Sequence, residues 1–171
     1  MTHIKTSLLF SKKNGASYSA SMNSKNITLI LFDLDDTLID FESSSAIALE
    51  TVCNNFGFSG PLESYFSIYS QINLGLWQRL EKGEIPASTV KVERFRLLCE
   101  KMNWTANYEQ MAESYLTEIN SCVKLIPFAA EVSEKLSQHF DLGIVTNGFT
   151  RVQKARFKKS GLEKHFKFLM T

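Results

Sequence analysis

The succession of apolar and polar positions divides the chain into zones of different period. Ile27, Leu29, Ile30, Leu31 and Phe32 make a nearly unbroken apolar run that stops at Asp33. A run of this kind, bounded by polar residues, predicts a strand buried on both faces of a parallel sheet. After Asp40 the period becomes helical. Ala46, Leu49, Val52, Cys53 and Phe56 fall on one face, with serines 43–45 as expected caps and Gly57 as a stop. Pro61 opens a second helix from Leu62 to Leu80, with Gly75 as the place for a bend or break. Ser88 is expected to cap a third helix, striped by Val92, Phe95, Leu98, Cys99 and Met102. A fourth starts near Asn107, where Gln110 completes a capping-box pattern, and runs through Met111, Tyr115, Leu116 and Ile119. Four amphipathic helices in succession predict a small bundle placed as an insertion rather than within a sheet.

Pro127 restores an α/β pattern. Phe128, Val132, Leu136 and Phe140 mark a short helix, and Leu142 to Val145 predicts a second buried strand. Gln153 to Lys159 reads as a basic helix closed by Gly161, and Phe166 to Met170 as a further strand, inside which the sequence reads as cut at Thr171. The fold class is therefore α/β, with right-handed crossovers on an incomplete parallel sheet.

Composition narrows the function. At 44% hydrophobic and 22% charged residues the chain is globular, and its 171 residues suit one domain with an insertion. A net charge of +1 argues against nucleic acid as a partner, and no apolar run reaches membrane-span length. Cys53, Cys99 and Cys122 are isolated from one another, which favours reduced thiols and a cytoplasmic location. Residues 1–26 carry six serines, four lysines and no acid, and read as a disordered leader; without arginine, organelle targeting is the minor reading.

The candidate chemistry sits where the first strand ends. Ligand crevices of open parallel sheets lie beyond the strands' carboxyl ends, and strand alternation would point Asp33 and Asp35 the same way. Two such carboxylates repel unless a cation intervenes, and Mg²⁺, with its preference for oxygen ligands and phosphate substrates, resolves that conflict. At the end of the second strand stand Thr146, Asn147 and Gly148. A hydroxyl and backbone N–H groups leading into a helix can hold a phosphoryl oxygen, although Asn-Gly is also a common turn dipeptide.

Asp33-Leu34-Asp35-Asp36-Thr37 resembles the DxDxT signature of the haloacid dehalogenase-like superfamily, and Thr146-Asn147-Gly148 its second motif, in the same order. With Asn73-Leu74-Gly75-Leu76-Trp77, Lys124–Pro127 and Leu142–Leu162, the chain resembles the superfamily's 5′-nucleotidases for pyrimidine and noncanonical nucleotides. The resemblance implies a Rossmann-like core over residues 27–41 and 124–171 and an inserted helical cap over 42–123. It implies a Mg²⁺-dependent phosphatase acting on a small-molecule phosphomonoester, with Asp33 as nucleophile and Asp35 as general acid and base. Mg²⁺ would be held by the Asp33 carboxylate and the Asp35 backbone carbonyl, phosphate by Thr146, Asn147 and Gly148, and substrate on the cap by Asn73 and Trp77. Asp36 is read as structural or a spectator. The superfamily's third-motif lysine and fourth-motif acids lie beyond the strand where this sequence stops. Three outcomes stay open: a nucleotidase, a phosphatase for a small sugar phosphate, or a truncated domain without turnover.

Overall fold

A computed structural model describes residues 27–171, so the leader assigned to residues 1–26 lies outside the described residues. The first strand, β1, spans Leu29–Phe32, and four helices follow: α1 Phe41–Asn55, α2 Leu62–Glu81, α3 Ala87–Lys101 and α4 Tyr108–Ser121. Then come α5 Ala129–Ser137, β2 Asp141–Val145, α6 Thr150–Lys159, a single 3-10 turn at Glu163–His165, and β3 Phe168–Met170. The sheet is parallel with β2 in the middle, Ile30 paired with Leu142 and Ile144 with Leu169.

Apolar residues gather in two places. Leu49, Val52, Tyr65, Tyr69, Phe95, Leu98, Met111, Tyr115 and Ile119 form the core of the four-helix bundle. Leu34, Ile39, Leu142, Ile144, Phe157 and Leu162 form the core between the sheet and the later helices. The chain enters and leaves the bundle at adjoining points. Asp40 N–H donates to the Lys124 carbonyl at 2.9 Å, and Ile126 N–H to that of Leu38 at 3.0 Å.

Several local expectations change. β1 is not buried on both faces: Ile30 and Phe32 turn toward the core, and the residues that alternate with them do not. Its Leu29 and Leu31, with Val145, Phe168 and Met170, line an exposed apolar face. Gly143 lies beneath Phe168 and Leu31 on that face. The serines do not cap α1: Asp40 does, its Oδ1 accepting from Ser43 N–H at 3.0 Å, while Ser44 and Ser45 are buried within the helix. Ser45 Oγ instead meets Tyr115 Oη at 2.8 Å and ties α1 to α4. α2 continues through Gly75 without a break, and α3 begins after Pro86, whose fixed φ suits a helix entrance, before Ser88 is reached. The capping pattern at α4 forms as expected, Asn107 Oδ1 accepting from Gln110 N–H at 3.0 Å.

Candidate active site

β1 ends at Phe32, and Asp33 and Asp35 follow it on either side of buried Leu34, Asp35 in an isolated bridge to Ile39, before the turn over residues 36–38. What shapes this turn is Asp36. It adopts the left-handed region, at φ 54°, which Asp tolerates better than most residues. Its Oδ1 accepts from the N–H groups of Phe41 at 2.9 Å and Glu42 at 3.2 Å, so it satisfies the first orphan donors of α1. Asp36 is thus structural.

Asp35 is held by α6. Arg156 Nη1 donates to Asp35 Oδ1 at 2.5 Å, and Gln153 Nε2 to Asp35 Oδ2 at 2.8 Å. Gln153 Nε2 also donates to Thr146 Oγ1 at 2.8 Å, and Gln153 Oε1 accepts from Arg156 Nη1 at 3.0 Å. Thr146, Gln153 and Arg156 are all buried. Thr146 also lies close enough to Asp33 to favour its ionised form. Thr146, Gln153, Asp35 and Arg156 therefore form one connected chain across the ends of β1 and β2, with Asp33 beside it.

Asp33 is solvent-exposed, yet partial burial of its carboxyl is the main cause that raises its pKa above 3.8. The negative charges of Asp35 and Asp36 add to the rise, while hydrogen bonds from Leu34 N–H and Thr146 oppose it. Asp40 shifts the other way: hydrogen bonds from Ser43, and then the Lys124 ammonium, hold its carboxyl below the usual range.

Gly148 has a different local role from the one its sequence context suggests. A Cβ there would lie 2.4 Å from Gln153 Cδ and Nε2, so the glycine makes room for the Gln153 amide. Asn147 and Gly148 also open onto a cleft of about 390 Å³ between the sheet end and the bundle. Its other walls include Trp77, Lys91, Phe149 and Arg151; the aspartates are not among them. Trp77 packs on Phe149 with ring centroids 5.1 Å apart, and Lys91 Nζ lies 4.8 Å from the Phe149 ring centre. Trp77 thus lines the cleft beside Asn147 and Gly148. Asn73 does not: its Oδ1 accepts from buried Arg94 inside the bundle, at 3.4 Å.

Sequence reasoning missed Gln153, Arg156 and Lys91. The first two stand three residues apart on one helix face, which is buried together with Phe157. Lys91 is brought to the cleft by tertiary packing of α3 and carries no local signal.

For magnesium the donors are hard oxygens, and the charges of Asp35 and Asp36 add to the upward shift at Asp33 that burial dominates. Among the described residues no group of three or more His, Cys, Asp and Glu side chains gathers to hold a metal. Mg²⁺ commonly takes one or two carboxylates and completes its shell with water and substrate phosphate, so the Asp33–Asp35 pair fits it. Among the described residues, no helix is long and apolar enough to cross a membrane.

Comparison with known proteins gives these features a context. Residues 30–171 match the haloacid dehalogenase-like hydrolase family. The chain is 32% identical over 145 residues to the HAD-hydrolase YfnB of Bacillus subtilis, covering 84% of this chain and 60% of that one. Pyrimidine 5′-nucleotidase PynA of Streptococcus pneumoniae is 28% identical over 138 residues, 80% of this chain and 58% of its own. Pyrimidine 5′-nucleotidase YjjG of Escherichia coli is 26% identical over 141 residues, 82% and 60% respectively. The crystal structure of YfnB bound to magnesium superposes with a TM-score of 0.79 at 31% identity, covering 84% of this chain and 64% of that one. The chain thus spans about 60% of the length of the curated relatives it matches.

Proposed function

The chain belongs to the haloacid dehalogenase-like hydrolases, and from that we propose a magnesium-dependent phosphomonoesterase acting on a nucleoside 5′-monophosphate. The observation that carries this reading is the convergence of Asp35 and Thr146 on one Gln153 amide, beside Asp33, at the carboxyl ends of two parallel strands. The likeness to two pyrimidine 5′-nucleotidases supports the substrate class, and the magnesium in the YfnB structure supports the cofactor.

In this reading the Asp33 carboxylate attacks phosphorus while the bond to the nucleoside oxygen breaks, leaving an aspartyl-phosphate. Asp35 gives the departing oxygen its proton, then takes one from the water that attacks the aspartyl-phosphate and releases inorganic phosphate. Thr146 and the backbone N–H groups of Asn147 and Gly148 hold the phosphoryl oxygens that do not react. A magnesium ion held by the Asp33 carboxylate and the Asp35 carbonyl would supply neutralisation of phosphoryl charge. Residues 42–123 act as the cap, with Trp77 and Lys91 facing the leaving group across the cleft.

The test is phosphate release from UMP and dUMP by the full 171-residue chain, with and without Mg²⁺, beside Asp33→Asn. Release that requires Mg²⁺ and disappears in the variant is expected. Release that persists in Asp33→Asn would remove the nucleophile assignment.

A further inference from the structure

A buried arginine is uncommon because its desolvation is costly, and replacement by an apolar residue of similar size is often neutral or stabilising. Arg156 is completely buried. Its Nη1 binds Asp35 and Gln153, and its planar group lies 5.1 Å from the ring centre of Phe41, the first residue of α1. Among the described residues its Nε and Nη2 have no hydrogen-bond partner. Packing alone would be better met by leucine or methionine. The guanidinium is placed where its one strong interaction is with the Asp35 carboxylate.

Gln153 sits one helical turn before it and does what a single-ended donor could not. Its amide group carries two N–H bonds. One goes to Asp35 Oδ2 and the other to Thr146 Oγ1, both at 2.8 Å. The Thr146 hydroxyl keeps its own hydrogen for donation to another group. Each carboxylate oxygen has two acceptor positions. Arg156 takes one on Oδ1 and Gln153 one on Oδ2, which leaves a position on each oxygen open for proton exchange. The carboxylate is oriented without being used up.

We propose that Gln153 and Arg156 are positioning residues that fix the Asp35 carboxylate in register with Thr146 and Asp33. The inference rests on the phosphomonoesterase reading above. In that chemistry Asp35 protonates the oxygen that leaves phosphorus, and the need for that proton depends on the leaving group. A nucleoside alkoxide departs poorly without it. A p-nitrophenolate departs readily as the anion. Loosening Asp35 therefore penalises UMP much more than p-nitrophenyl phosphate. The comparison belongs in kcat/KM, which covers only the steps up to release of the alcohol, before the water step common to both esters.

The experiment uses the full chain with Mg²⁺ and the variants Arg156→Met, Arg156→Lys and Gln153→Met. General acid catalysis contributes roughly 10²- to 10⁴-fold, so a misplaced acid is expected to lower kcat/KM for UMP at least about tenfold. For p-nitrophenyl phosphate the expected fall is under about threefold, and Arg156→Lys recovers part of the UMP loss. Equal falls on both esters mean a merely structural role and overturn the proposal, as does no fall on either. A thermal double-mutant cycle judges the clamp without turnover. Asp35→Asn is expected to lower Tm in the parent, where it leaves Arg156 buried without its counter-charge, and to leave Tm nearly unchanged in Arg156→Met. Equal Tm shifts in the two backgrounds would show that the residues are not coupled. If the parent releases no phosphate from either ester, the phosphomonoesterase reading fails, and the cycle still decides whether the clamp exists.

Discussion

Replacing Gly148 by alanine isolates the contact that links the second motif to α6. Gly148 does not occupy the left-handed region, unlike Gly57, Gly83 and Gly161, so its backbone is open to any residue. Space is the constraint. The new methyl would lie 2.4 Å from Gln153 Cδ and Nε2 and 2.5 Å from Cγ, and ordinary contact needs a displacement of about 1 Å. Gln153 is buried, and the same movement would stretch its bonds to Asp35 and Thr146 from 2.8 Å past hydrogen-bonding length. Complete loss of these two bonds and of the 3.0 Å bond from Arg156 would remove about 4–7 kcal/mol, counting about 1 for the neutral pair and 1.5–3 for each charged one. Partial relaxation roughly halves this, so the expected destabilisation is about 3 kcal/mol, or about 6–12 °C in Tm for a chain of this size. Urea unfolding of Gly148→Ala alone and in a Gln153→Ala background measures it. With the amide gone, the same glycine change is expected to cost under about 0.5 kcal/mol. An equal cost in both backgrounds would refute the steric argument and locate the need for glycine in the backbone.

Two further outcomes follow from the turn after β1. Asp36→Ala removes the acceptor for Phe41 and Glu42 N–H and is expected to cost about 1–2 kcal/mol in thermal unfolding, with Asp36→Asn retaining most of the stability. The pH dependence separates Asp33 from Asp40. Because the folded Asp33 carboxyl titrates above its unfolded 3.8, the folded state binds more protons in that interval, and stability falls as pH rises through it. Asp33→Asn should therefore match the parent in acid and exceed it in Tm once the pH passes the raised pKa, without Mg²⁺. Asp40 has the opposite sign: its contribution is present above 3.8 and is lost as pH falls through its lowered value. Asp40→Asn should match the parent only in strong acid.

The elements were legible where local chemistry decides them. β2 and the Asn107 cap follow from an apolar run and from a side chain that can reach a backbone donor. β1 was legible as a strand, but a period cannot say which face is covered; that depends on which elements pack over Leu29 and Leu31. Three adjacent serines offered an ambiguous helix start, settled by Asp40 because its carboxylate reaches Ser43 N–H. At the site, Asp33, Asp35 and Thr146 were readable because each ends a strand segment. Gln153 and Arg156 were concealed among Arg151, Lys154, Lys158 and Lys159, so their helix read as uniformly basic and solvated. Only the packing of α6 against the Asp35 turn distinguishes the buried polar pair from its exposed neighbours.

The apolar face formed by Leu29, Leu31, Val145, Phe168 and Met170 bears on the heat capacity of the molecule. The heat-capacity change of unfolding comes chiefly from apolar surface that is newly wetted. Side chains already in contact with water in the folded state add little to it. Per residue, this chain should therefore have a smaller ΔCp than one whose sheet is covered on both sides. Its stability should vary less steeply around its optimum temperature, and its dependence on denaturant concentration should be shallower for the same reason.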